Sequence, residues 1–115
     1  MPQRVAAKIR RAVKHLADPL IVALGATYKR NCEDMRASPA VEIVGLLAAD
    51  GYRVRHCDPL VKALAYASLT EACRSADLVV VLVNHDVIAK ELAAHGADIM
   101  AATRGGAFIN YDDFS

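Results

Sequence analysis

Paired cysteines are missing from this chain. Its 115 residues include only Cys32, Cys57 and Cys73, widely spaced and with no CxxC among them. An odd, scattered set fits poorly with a disulfide framework, so free thiols in a reducing, cytoplasmic setting are expected. Long apolar runs are missing too: no segment approaches the roughly 20 residues needed to cross a bilayer. Charge of one sign is not in excess. The formal net charge is +1 with histidines neutral, which gives no argument for a nucleic-acid or membrane partner. His15, His56, His85 and His95 are scattered without metal-ligand spacing. Neither the dinucleotide fingerprint GxGxxG nor a Walker A sequence occurs.

What is present suits one globular domain. The composition is 55% hydrophobic and 23% charged, which argues against disorder. A chain of this length buries about two-thirds of its unfolded surface, enough for a core without metal or disulfides. Met1–Leu16 reads as an amphipathic helix. Val5, Ile9, Val13 and Leu16, widened by Ala6 and Ala12, form its apolar face, and Arg4, Lys8, Arg10, Arg11, Lys14 and His15 the rest. It lacks the apolar core of a secretory signal, so no targeting is assigned. A mitochondrial presequence is the alternative its basic pattern leaves open. Asp18-Pro19 ends the helix.

Leu20–Leu24 is a short continuous apolar run of the kind that forms a buried parallel strand. A polar loop follows from Tyr28 to Ser38. Ser38-Pro39 then offers an N-cap hydroxyl and a proline for the first helical position. The helix over 40–49 is expected to turn Val41, Val44, Leu47 and Ala48 inward and to stop at Asp50-Gly51. Tyr52–Cys57 reads as a second strand closed by Asp58-Pro59, and residues 60–67 are ambiguous. Ser68-Leu-Thr-Glu71 has capping-box spacing, which predicts a short helix from Leu69 to about Ser75. Leu78–Val83 is the strongest strand. Asp86 can cap a helix that carries Val87, Ile88, Leu92 and Ala93 inward. Residues 96–106 fit either a frayed helix or a loop, and Ala107–Ile109 a last strand.

Strands therefore alternate with helices. That pattern predicts an α/β, three-layer Rossmann-like, doubly wound and mostly parallel sheet, with strand order 2-1-3-4. In such sheets ligands bind beyond the carboxyl ends of the strands, where the order reverses, here between the first and third strands. The residues at that point are Gly25–Ser38 and Asn84-His85-Asp86. Tyr28, Lys29, Arg30 and Arg36 bring an aromatic face and cations, and the helix start at Ser38 adds backbone N–H donors. The set suits a phosphate-bearing ligand, with Lys29 as a point charge and Arg36 as a bidentate donor. Such loops are also ordinarily solvated surface. Arg36 can equally brace the loop against Glu33 or Asp34, and His85 can touch a ligand or cap the helix behind it. Cys57 is expected to pack near its strand's end, and Cys73 to sit on the helix. Cys32, in the polar loop, is the thiol placed for exposure, and no partner base is identifiable for it.

Gly25-Ala-Thr-Tyr-Lys-Arg-Asn-Cys-Glu-Asp-Met-Arg-Ala-Ser-Pro-Ala40 resembles the signature of the C-terminal domain of the UDP-glucose/GDP-mannose dehydrogenase family. Gly51, Asp58-Pro59 and Ala76–Asp86 fit the same pattern. The likeness covers roughly residues 4 to 111. Asn31 and the Asn84-His85-Asp86 ending resemble its UDP-N-acetylmannosamine dehydrogenase branch. The resemblance implies an NAD-dependent oxidation of a sugar primary alcohol to a carboxylate, serving polysaccharide biosynthesis. It also implies a UDP-sugar ligand, with Tyr28, Lys29, Arg36, Asn84 and His85 as substrate-binding residues. Residues 1–17 would end the linking helical region, and 18–115 would form the nucleotide-sugar-binding domain. The implied partners are the remaining dehydrogenase domains, and a homodimer is among the assemblies the family allows. NAD would be bound by the full-length enzyme and no cofactor by this chain. Catalytic residues are not assigned, because the cysteine nucleophile with its flanking motif is missing as well, and the scattered histidines leave no metal-binding residues to assign. Alone, the chain is expected to be inactive, as a piece of a longer enzyme or as a split or degenerate gene product.

Ala37 stands where glutamate is usual, and Ile109-Asn-Tyr-Asp-Asp113 where an Asp-x-Arg or Asp-x-Lys pattern is common. These departures support a second reading, a non-catalytic α/β regulatory or scaffold module that kept the fold and lost the ligand. A receiver-type or flavin-binding domain is a third. The missing acidic pair after the first strand and the lack of an obvious flavin loop argue against it.

Overall fold

Two runs of aliphatic residues, Leu20–Leu24 (β1) and Leu78–Val81 (β3), are buried at every position in the computed structural model. They can be apolar throughout because helices cover both faces of the sheet they form. The structure describes residues 2–27, 38–104 and 108–110. Its elements run α1 (Pro2–Val13), β1, α2 (Pro39–Ala49), β2 (Arg53–Cys57), a 3-10 turn (Lys62–Leu64), α3 (Leu69–Ala72), β3, α4 (Asp86–Ala102) and β4 (Phe108–Asn110). The sheet order is β2-β1-β3-β4. All three pairings are parallel, with Leu20 opposite Arg53, Ile21 opposite Leu78 and Val79 opposite Phe108. The expected order and fold class are thus observed, and the sheet is wholly parallel over these four strands.

Alternation along the strands splits the interior into two layers. On one face Ile21, Leu78 and Val80 meet Ala6, Ile9 and Val13 of α1 and Ile43 and Leu47 of α2. On the other, Val22, Leu24, Val79 and Val81 meet Leu69 and Cys73, around α3, and Ile88 and Ile99 of α4. Each fully buried Ile, Leu or Val contributes about 1.5–3 kcal/mol through removal from water. β2 is an edge strand, and its exposed Arg53 and Arg55 discourage further strand pairing on that side.

Several local expectations need correction. α2 buries Ala40, Ile43 and Leu47, while Val41 is 43% exposed and Ala48 faces outward. This helix is apolar almost all round, so two overlapping stripes fit its pattern and periodicity alone cannot choose between them. Likewise Ile88 and Ile99 anchor α4, whereas Val87 is 48% exposed and Ala93 is outward. His85, not Asp86, holds the N-cap position of α4 but makes no side-chain cap bond, and Asp86 is the first helical residue. The helix continues to Ala102 past a non-helical His95. α1 stops at Val13 and leaves Leu16 exposed. α3 starts as expected, with Ser68 Oγ accepting from the Glu71 N–H at 3.2 Å, but ends at Ala72.

Candidate functional site

Gly25 shapes the carboxyl end of the sheet. Its φ is +96°, and a Cβ there would lie 2.5 Å from the Val83 carbonyl oxygen and 2.7 Å from the Val83 Cβ. Only glycine meets both conditions without strain. The chain can approach this closely because the Leu24 carbonyl accepts N–H groups from both Leu82 (2.8 Å) and Val83 (3.3 Å). β3 therefore ends at Val81, two residues earlier than its apolar run. The Asn84-His85 turn is drawn against the tip of β1.

Three strand ends meet at this point. Asp58, just past β2, is fully buried. Its Oδ2 accepts the Ala26 N–H at 2.7 Å and lies 2.9 Å from His85 Nε2. Its Oδ1 accepts the Leu60 N–H at 2.8 Å. A carboxylate can only accept, so the histidine nitrogen facing it carries the proton. Thr27 Oγ1 lies 3.3 Å from the same nitrogen. His85 and Thr27 are fully buried as well. Ser38, the N-cap of α2, donates to the Thr27 carbonyl at 3.1 Å and accepts from the Val41 N–H at 3.5 Å. Thr27 and Ser38, on either side of residues 28–37, are therefore bonded to each other.

A second histidine braces the tip from β2. His56 Nε2 donates to the Gly25 carbonyl at 2.8 Å. Burial pushes the His56 pKa below its ordinary value, against the opposing pull of the Gly25 carbonyl and the Asp58 charge. The neighbouring thiols are poor nucleophiles. Burial raises Cys57, with Arg55 opposing, and pushes Cys73 up to about 12. Both cysteines are free and buried, Cys57 as expected, while Cys73 lies at the end of α3 rather than within it. Asn84 presents a buried side-chain oxygen that takes no hydrogen bond.

Of the residues singled out from the sequence, Asn84 and His85 lie at the end of β3, facing the tip of β1. Tyr28, Lys29 and Arg36 fall outside the described residues, as do Arg30, Cys32 and Ala37. Sequence reasoning missed Thr27 and Asp58 as site residues. Asp58 was visible only as a strand terminator beside a proline. Its position at a parallel strand's carboxyl end was the available signal, but burial and the partner 27 residues away were not. Among the described residues no group of three or more His, Cys, Asp or Glu side chains could hold a metal ion. No helix among them is long and apolar enough to cross a membrane.

A doubly wound parallel sheet with its polar side chains gathered at the switch point between β1 and β3 defines a Rossmann-like ligand-binding class of domain. Residues 22–107 match the model of the UDP-glucose/GDP-mannose dehydrogenase family, UDP binding domain. The chain belongs to that family. It is 36% identical over 88 residues to the UDP-N-acetyl-D-mannosamine dehydrogenase of Methanocaldococcus jannaschii, covering 75% of this chain and 20% of the relative. It is 38% identical over 72 residues to the UDP-glucose 6-dehydrogenase of Rickettsia prowazekii, covering 53% of this chain and 17% of the relative. A solved UDP-D-ManNAc dehydrogenase from Pyrococcus horikoshii superposes with a TM-score of 0.80 at 25% identity, over 95% of this chain and 26% of that one. The chain thus spans about a fifth of the length of the curated relatives it matches. The branch suggested by Asn31 and Asn84-His85-Asp86 is the one that several of these relatives are named for.

Proposed function

We propose that this chain is the nucleotide-sugar-binding part of an NAD-dependent UDP-sugar 6-dehydrogenase, and that UDP lies in the crevice between the tips of β1 and β3. The observation that carries this reading is the joining of three strand ends through Asp58. Asn84 and His85 are thereby set opposite the start of the polar loop. Tyr28 would offer a face to the ligand, Lys29 a point charge to the diphosphate, and Arg36 a bidentate contact. The N-terminus of α2 adds a positive dipole end.

The dinucleotide fingerprint GxGxxG is missing after the first strand, where Leu24-Gly25-Ala26-Thr27-Tyr28 stands. In this reading NAD and the nucleophile come from the other dehydrogenase domains. Those domains, a second copy in a homodimer and the UDP-sugar are the partners, and the setting is the cytoplasm. A non-catalytic regulatory or scaffold module is the second reading, favoured by Ala37 and by Ile109-Asn-Tyr-Asp-Asp113, which carries no base.

The test is a UDP titration followed by calorimetry and by amide NMR shifts. Saturable shifts at Ala26, Thr27, Asn84 and His85 are expected. A spectrum unmoved by millimolar UDP would leave the second reading standing.

A further inference from the structure

The geometry points to Asp58 as a positioning residue for nucleotide binding, acting through His85 and the Ala26-Thr27 tip. The inference rests on the reading of the crevice as a UDP site. Asp58 belongs to β2's end and none of the residues assigned to ligand contact is its chain neighbour. Yet its carboxylate accepts N–H groups from two distant segments, Ala26 at 2.7 Å and His85 Nε2 at 2.9 Å, and from Leu60 of its own turn at 2.8 Å.

The arrangement is more than a space-filling polar contact. A buried carboxylate is costly to desolvate, and it persists where several well-made hydrogen bonds compensate. Here those bonds converge on both walls of the crevice. Ala26 precedes the polar loop by one residue beyond Thr27, and His85 follows Asn84. Thr27 Oγ1 stands 3.3 Å from the same His85 nitrogen, so the two walls also meet directly. All three side chains are fully buried, so the two walls are joined by direct contacts rather than through solvent. Asp58 itself is covered, and it acts on the ligand only by fixing where the exposed parts of the two walls stand. Ligand sites lose affinity steeply when such support is loosened.

The test compares wild type, Asp58→Ala, His85→Gln and His85→Leu as full chains, with UDP as the probe. Glutamine places an N–H donor near the position of Nε2, and leucine does not. Three results are expected. In ligand-free Asp58→Ala the amide signals of Ala26, Thr27 and Asn84 move. Its UDP affinity, measured on the folded fraction, falls about tenfold or more. His85→Leu loses affinity to a similar degree, and His85→Gln loses at least about threefold less than His85→Leu does. The inference is overturned if a folded Asp58→Ala binds UDP as wild type does. It is equally overturned if its tip amides do not move, whatever UDP does. If Asp58→Ala does not fold, the histidine pair decides. Equal affinities for the Gln and Leu variants, whether both high or both low, reject positioning through the Asp58 contact. Failure of wild type itself to bind UDP rejects the functional reading instead.

Discussion

His56 donates from Nε2 to the carbonyl of Gly25 at 2.8 Å, tying the edge strand β2 to the turn that leaves β1. The bond needs only the neutral imidazole, and burial disfavours the charged one. The folded-state pKa is accordingly below the ordinary 6.5.

A pH dependence follows from that shift. Between the folded-state value and 6.5 the unfolded chain binds more protons at this position than the folded one does. Stability therefore rises with pH through that window. The contribution of His56 is fully present above about pH 6.5 and is lost as pH falls toward the lower folded-state value. Urea unfolding at pH 7.5 and 5.5 should show wild type losing stability at the lower pH. His56→Gln, which keeps an N–H donor but does not titrate, should lose less. Identical pH slopes in the two proteins would refute the assignment.

Two glycines with similar backbone angles should respond differently to alanine. Gly25 and Gly51 have φ of +96° and +89°. A Cβ at Gly51 meets nothing within 4 Å, whereas at Gly25 it meets the Val83 backbone at 2.5 Å. Gly51→Ala should cost about 1 kcal/mol, from the left-handed backbone alone. Gly25→Ala should cost about 3 kcal/mol or more, because overpacking adds to it. Chemical denaturation of the two variants gives the difference directly. Equal losses would mean that Val83 yields freely and that the turn is not built on close approach.

The orientation of α2 offers a third check. Ile43 is 5% exposed and Val41 is 43% exposed. Ile43→Ala should destabilise by about 2–5 kcal/mol. Val41→Thr should change stability by no more than about 0.5 kcal/mol. A large loss at Val41 would restore the stripe expected from periodicity.

These cases show where the sequence was legible. The strand order followed from apolar runs alternating with capped helices, because buried parallel strands need no alternation and turns carry their own chemistry at Ser38-Pro39, Asp50-Gly51 and Ser68. The long signature from Gly25 to Ala40 carried the family. The inward face of α2 was not legible, since Val41, Ile43 and Val44 are equally apolar and only the packing against Ile21 and Val80 decides. Nor was Asp58 legible as part of the site. An acid beside a proline reads as a turn, and its contacts with Ala26 and His85 depend on a β2-β1-β3 arrangement that brings distant residues together. Helix caps were readable to within one residue, as His85 and Asp86 illustrate.

Adjacent residues of β3 answer to different neighbours: Val79 packs with α4's side and Val80 with that of α1 and α2. The sheet acts as a partition as well as a support. Substitutions can accumulate in the half of the interior next to α1 while the half that seats Ile88, and with it the turn before α4, is left undisturbed. A lineage could thus remodel one flank of this domain to suit a new neighbour and keep the opposite flank as it was.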